Sequence, residues 1–430
     1  MNTSGLAHQT SAMRSIQPHT PAHWRWRRIK GISTINRLAL PEDTDSEFEF
    51  YYIDVGAVTS DGAIGSPERL CFEDAPSRAR RLVAQGDTIV STVRTYLRAI
   101  AWIAGDASDV VVSTGFATVT PHATVDPRFL FWWLCSTPSV EEIVARSVGV
   151  SYPAVNASEV GDIGIAIPPL DEQRHIAAYL DAETARVDRL VGENNDQQRL
   201  QRELLLTTMV DRLLPSDPNH DWRHTRLKYL FEPEWPGTWG AEPNGGRDDI
   251  LCVRVADFDR LNFVAGRGAE TYRSVPSAER ARRVLCTGDV LLEKSGGTKD
   301  KPVGCAVSFD GDEPAVCSNF IAVLRPLVGL NPRYGALLMA ALYQSKRNSP
   351  FVKQTTGIQN LDSHEYLGLR IAVPDRATQD GLVTRLERER DLVNRRLSEL
   401  RRQSDLLGEH RQALITAAVT GQLDLTRSAA

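Results

Sequence analysis

The sequence predicts an α+β protein in which two similar mixed α/β domains are separated by two long antiparallel coiled-coil helices, with an internal pseudo-twofold repeat. Three observations lead there. The chain is written twice, each copy opens with short apolar runs broken by Gly, Pro and Asp, and each copy closes with a long proline-free segment.

The duplication is legible in ordered matches. Trp24-Arg25-Trp26-Arg27-Arg28-Ile29-Lys30 aligns with Trp222-Arg223-His224-Thr225-Arg226-Leu227-Lys228 at an offset of 198. Gly86-Asp87 matches Gly288-Asp289 at 202, and Phe116 matches Phe320 at 204. Ile165-Ala166-Ile167-Pro168 matches Ile371-Ala372-Val373-Pro374 at 206, and Gln173 matches Gln379 at the same offset. The offset drifts in one direction only, as loop insertions in a tandem duplication would make it.

Within each copy, apolar runs such as Asp87–Thr92 and Asp109–Thr120 predict strands, and Pro127–Leu134 and Pro332–Tyr343 predict helices. Glu172–Leu214 and Thr378–Thr420 have the Leu, Arg, Glu and Gln content of long helices, stopped by Pro215 and Gly421. Each would extend about 65 Å at 1.5 Å per residue. Ile176, Leu180, Val187, Leu190 and Leu204, with polar Glu183, Asn194, Gln197 and Gln201, step by threes and fours. Leu386, Val393, Leu397, Leu400, Leu407 and Leu414 do the same. That is a coiled-coil seam, and two helices of equal length, one per repeat, select each other as partners.

Composition excludes several classes. With 42% hydrophobic and 24% charged residues the chain has material for real cores, and no apolar run approaches the ~18 residues of a membrane span. The first twenty residues are polar and read as a disordered N-terminus, and a cytoplasmic location is the expectation. The six cysteines form no Cys-x-x-Cys pair and read as buried free thiols rather than a zinc site. No phosphate loop, nuclease triad, methyltransferase motif or serine elbow is present: Ser295-Gly296-Gly297-Thr298-Lys299 has the wrong spacing, and Leu292 stands where a nuclease needs its second acid. No cofactor is expected. Two similar heads on a rigid spacer, without a catalytic set, suit two-point recognition.

Candidate contact residues collect at equivalent turns. The first copy has Arg94, Tyr96 and Arg98 after the Gly-Asp strand; the second has Lys294, Ser295, Lys299 and Lys301 in a Gly-Gly loop. Further on, a glycine-centred turn carries Ser151 and Tyr152 in one copy and Gln359 and Asn360 in the other. Arg and Lys suit phosphates and guanine edges, and Gln and Asn suit adenine edges. A net charge of −5 argues neither way, since contact depends on where the basic groups lie. It is the main support for the alternative, a non-catalytic protein-binding scaffold with two heads on a coiled coil.

The Gly-Asp-apolar repeat, the Ile-Pro-Pro-Leu-Asp-Glu-Gln run at 167–173, the segment Glu293–Asp300 and the closing run 414–423 resemble the specificity subunit of type I restriction-modification systems. The second copy departs from the pattern, reading Pro374-Asp375-Arg376-Ala377-Thr378-Gln379. The resemblance implies a DNA-binding subunit that is not itself an enzyme. Two target-recognition domains, 21–170 and 216–375, would each read half of a bipartite, asymmetric site in double-stranded DNA. Spacer helices 171–215 and 376–421 would set the gap, and 422–430 would form a tail. The implied partners are two methylation subunits and restriction subunits, which supply adenosylmethionine chemistry and ATP-driven cleavage.

Overall fold

In each copy the Trp-led basic run pairs with the Ile-Pro run at the far end of the repeat. Arg25–Arg28 lies antiparallel to Gly164–Ile167, with Arg25 opposite Ile167 and Arg28 opposite Gly164. Arg223–Arg226 meets Arg370–Val373 in the same register, Arg223 opposite Val373 and Arg226 opposite Arg370. Each repeat is thereby closed on itself where its long helix departs. A computed structural model of the chain describes residues 13, 17–217, 221–298, 301–355 and 357–425. It divides into two compact units, Met1–Glu193 with Gln403–Ala430, and Asn194–Arg402. Most of residues 1–20, and 426–430 of the expected tail, lie outside the described residues.

The first unit holds two four-stranded sheets. One runs Ser33–Ile35, Phe116–Pro121, Thr88–Ser91, Ile100–Trp102, all antiparallel. The other runs Glu68–Cys71, Glu49–Ile53, Val110–Ser113, Ala79–Leu82, with its central pair parallel. The helix Pro127–Cys135 is capped by Asp126, whose carboxylate accepts from the Arg128 and Phe129 amides at 3.0 Å each. It buries Phe129, Leu130, Trp132 and Trp133 in the main core, along with Ile176, Leu180, Ile415 and Val419 from the long helices.

The second unit repeats the plan. A five-stranded sheet centres on Val290–Glu293, flanked by Ile321–Leu324 and Ala306–Phe309, and Asp249–Val253 pairs parallel with Ala315–Cys317 in a three-stranded sheet. Its helix Pro332–Gln344 is capped by Asn331 through the Tyr334 amide at 3.0 Å. Met209, Leu213, Val383 and Leu386 of the long helices join its core.

Two small polar devices recur. Asp87 accepts from the Ala84 amide at 2.9 Å and Asp289 from the Cys286 amide at 2.8 Å, each next to a glycine in the left-handed region, Gly86 at φ +91° and Gly288 at +93°. A Cβ on Gly288 would lie 2.9 Å from Pro332 Cβ, so both the turn and the close approach of the helix require glycine there. Gln173, buried, accepts from the Asp126 amide at 2.8 Å and donates to Pro168 O at 2.9 Å. Gln379 accepts from the Asn331 amide and donates to Pro374 O at the same two distances. One side chain thus ties the cap of the core helix to the start of the long helix. This is why Gln379 persists although its Pro-Leu-Asp-Glu neighbours are lost.

The long helices span Leu170–Leu213 and Arg376–Val419, 44 residues each. Within the first unit they run antiparallel: His175 Nε2 lies 3.2 Å from Leu425 O, while Asp188 pairs with Arg411 at 3.1 Å. Within the second, Arg212 pairs with Glu389 at 2.7 Å, and Arg202 lines a cleft with Leu397 and Arg401. The seam departs from its expected course. Leu190 and Leu204 are 40% and 62% exposed, whereas Thr184, Leu205 and Met209 are buried. A straight helix drifts about 20° per heptad against a 3.5-residue repeat, so over this length the buried stripe moves by nearly one position.

Three further expectations are corrected. The run Asp109–Thr120 is not one strand but two, Val110–Ser113 and Phe116–Pro121, in different sheets. Phe116 faces Ser91 while Ile321 faces Glu293, so the counterpart of Phe116 is Ile321 at an offset of 205, not Phe320. The shifted alignment sets Gly115 against Phe320. All six cysteines are free, but Cys286 is exposed, and Cys71 and Cys135 are only partly buried. Burial pushes the Cys135 thiol up to about 12.

Candidate nucleic-acid interface

The candidate contact turns grow out of the ends of equivalent strands. In the first unit, Thr88–Ser91 runs into Val93 and then a 3-10 turn, Thr95–Leu97, flanked by Arg94 and Arg98 at φ 50° and 55°. Two arginines in the left-handed region cost of order 1 kcal/mol each or more, a strain the surrounding bonds must hold. Val93 bridges to Ala154, which also bridges to Val148, and the Arg94 amide donates to Pro153 O at 2.8 Å. The Arg94 guanidinium lies 4.9 Å over the Tyr152 ring. Thr95 and Ser147 share a 2.7 Å hydroxyl contact. The fold therefore brings Arg94 and Tyr152 together, with Ser151 beside them on the exposed loop. Tyr96 and Arg98 sit on the same 3-10 turn as Arg94 and are exposed.

In the second unit the same place is a three-stranded sheet: Ser295–Gly296, Ile358–Leu361 and Val352–Thr355. Ser295 pairs with Asn360, and Gly296 with Gln359. At offsets of 202 and 206 this is the Val93–Ala154 bridge of the first unit, and Gly296 at φ +115° stands where Arg94 does. Ser295 Oγ donates to Asn360 Oδ1 at 2.7 Å, and Gln359 Oε1 accepts from the Val303 amide at 3.3 Å. Lys294 is half-buried at the base of this sheet, its amide donating to Phe320 O at 2.9 Å. Lys301 is exposed on a turn closed by the Thr298 amide at 2.8 Å. Lys299 lies outside the described residues.

The base of that sheet is anchored by a partly buried ion pair. Arg260 Nη2 meets Glu293 Oε2 at 3.0 Å, with Glu293 2% exposed. Burial raises the Glu293 carboxyl above its ordinary range, and Arg260 draws it back only in part. Lys353, also exposed on the sheet, pairs with Asp362 at 2.7 Å and holds that carboxyl below its usual range.

The candidate set omits several exposed apolar tips. Val148 and Val150 are 81% and 101% exposed around Gly149, beside the candidate Tyr152 at 67%, and Trp239 and Phe320 are exposed in the second unit. The Val-Gly-Val sequence was the available signal in the first case. An apolar tip is suited to a thymine methyl. Among the described residues no three His, Cys, Asp or Glu side chains are placed to hold a metal ion, and no helix is long and apolar enough to cross a membrane.

Residues 21–196 match the family described as type I restriction modification DNA specificity domain. The type I restriction enzyme HindI specificity subunit of Haemophilus influenzae is 24% identical over 142 residues, 32% of this chain and 31% of that protein. The StySPI specificity subunit of Salmonella potsdam is 25% identical over 211 residues, 47% of this chain and 45% of that one. The matched segments thus span a third to under half of those relatives' lengths. A chain solved in a study of complex assembly and conformational transition of the type I R-M system has the same fold along 94% of this chain and 99% of its own, with a TM-score of 0.71 at 24% identity. The family match covers residues 21–196, and the structural likeness extends the shared fold along nearly the whole chain. The matched segment contains the Arg94–Tyr152 turn, and the second unit rebuilds the same frame around different tips.

Proposed function

We propose that this chain is a specificity subunit of a type I restriction-modification system, that it reads a bipartite, asymmetric DNA site, one half with each unit, and that it docks the methylation and restriction subunits that act there. The observation that carries the reading is the equivalence of the two recognition turns: Val93–Ala154 and Ser295–Asn360 occupy one position of a shared frame with different chemistry. Identical frames present the tips alike, and unlike tips ask for unlike half-sites. Recognition domains 21–170 and 216–375 would carry the tips, and helices 171–215 and 376–421 would set the unread gap. Arg94, Arg98, Lys294, Lys299 and Lys301 would position on phosphates. Tyr96, Ser151, Tyr152, Ser295, Gln359 and Asn360 would face base edges. Two methylation subunits and the restriction subunits would meet the complex in the cytoplasm.

The test is co-expression with methylation subunits of the same system, followed by mapping of modified adenines. A two-part asymmetric motif with a constant gap is expected, and exchange of residues 21–170 for those of a differing relative should replace one half-motif only. A stable complex that modifies no defined site would favour a protein-binding scaffold and sink the DNA-reading roles.

A further inference from the structure

Beside the second recognition sheet lies a cleft of about 390 Å³ lined by Trp239, Arg254, Val255, Ser318, Asn319 and Phe320. We propose that it takes one unstacked nucleobase of the recognised DNA, an inference that rests on the DNA-reading role above.

Its walls suit a flat ring. Trp239 and Phe320 are 38% and 47% exposed, which leaves two aromatic faces in water unless something covers them. Both are held in place. Arg273 lies 4.5 Å over the indole and donates to Trp239 O at 3.1 Å. Phe320 O accepts from the Lys294 and Ser295 amides at 2.9 and 3.2 Å, so the ring is tied to the first residues of the recognition sheet. The cleft and the sheet share a wall.

Its polar groups suit a hydrogen-bonding edge. Ser318 is 2% exposed, and its hydroxyl is buried without a partner among the described residues. A buried hydroxyl left so is costly, and an incoming donor or acceptor would satisfy it. The Arg254 guanidinium is clamped by Asp257 through Nε at 3.3 Å and Nη2 at 3.0 Å, with Nη1 outside that pair. Asn319 is exposed at the mouth and offers both a donor and an acceptor. Aromatic walls, a hydroxyl, an amide and a fixed cation beside a basic sheet together select a heteroaromatic base attached to a phosphate backbone.

The first unit lacks the Phe320 wall of such a cleft. Gly115 stands where Phe320 does, and even a Cβ there would fall 2.8 Å from Cγ2 of Val55, the counterpart of Val255. One half-site alone would therefore give up a base.

The experiment uses the specificity subunit assembled with its methylation subunits and a duplex carrying the mapped site. Each base pair of the half-site read by the second unit is unpaired in turn by changing the partner base. Ordinary edge reading makes every mismatch weaken binding, whereas a captured base binds better once unpaired, because the cost of extrusion is removed. The expected result is one position at which the mismatch raises affinity about tenfold. Phe320→Ala should abolish that gain and weaken the fully paired duplex about 5- to 150-fold, and Phe320→Tyr should restore both. Two results overturn the cleft while leaving DNA reading intact: no mismatch that helps, or a gain that survives Phe320→Ala. A wild-type complex that does not discriminate its mapped site overturns the reading on which the cleft depends.

Discussion

Where the first unit sets Val93 against Ala154, the second sets Ser295 against Asn360; where the first has Gly115, the second has Phe320; where Asp162 neutralises Arg28 and Lys30 in the first, Gly368 follows the matching helix in the second. Against this, Gln173 and Gln379 make the same two bonds at the same two distances, and Asp87 and Asp289 close the same turn. The divergent positions lie at loop tips and on surfaces, where a change of side chain leaves few buried groups unpaired. The invariant ones satisfy buried backbone amides and carbonyls, and a change there costs the full desolvation of each orphan. Duplication kept what the interior needs and released what faces solvent.

The strongest way to break the comparison is to move the two units apart. Seven residues inserted in each long helix, at facing positions, add about 10 Å, or about three base pairs of rise. The mapped gap should lengthen accordingly while both half-motifs stay the same. An unchanged gap would end the idea that the helices act as a ruler. Next in size are the buried glutamines. Gln173→Ala and Gln379→Ala should each cost about 2–4 kcal/mol, because an amide and a carbonyl lose their partners together. For units of this size that is about 5–10 °C in the unfolding midpoint. Calorimetry of the two variants should give matching losses, and a large inequality would show that the frames are not equivalent.

The comparison also predicts an asymmetry of stability. Arg325 clamps Asp289 at 2.7 and 2.8 Å, whereas Asp87 Oδ1 is buried without a partner among the described residues. Arg325→Ala should destabilise the second unit by about 2 kcal/mol, less than for a fully buried pair because the arginine is a third exposed. Denaturant titration of the variant checks it. The smallest effect belongs to Asp162. Lys30 donates to it and Arg28 adds charge, which holds its carboxyl below the ordinary range. Because the folded value is depressed, its stabilisation is present above the unfolded value of about 4 and is lost as pH falls through the folded one. Asp162→Asn should lower stability by no more than about 1 kcal/mol at pH 7, and by progressively less as pH falls below the unfolded value, which urea titration across pH checks.

Much of the frame was legible without coordinates, for reasons that differ by feature. The long helices came within two residues of their observed ends, because composition and proline stops act locally. The Gly-Asp turns and the recurrent glutamines stood out because duplication samples the same constraint twice. The seam beyond Val187 departs from the heptad template because that template ignores the drift of a straight helix. Phe116 corresponds to Ile321 and not to the chemically similar Phe320, because a one-residue insertion separates the copies there and only strand pairing reveals it.

The sequence by itself determined that the molecule is two copies of one unit joined to long helices, and which family it resembles. Those conclusions rest on order and spacing along the chain, which need no third dimension. Tertiary structure alone decided which tips meet: Arg94 over Tyr152, Ser295 bonded to Asn360, Phe320 and Trp239 lining one cleft. The partners in each case stand 58 or more residues apart. They are brought together by ladder register and helix caps, long-range pairings that no local pattern encodes.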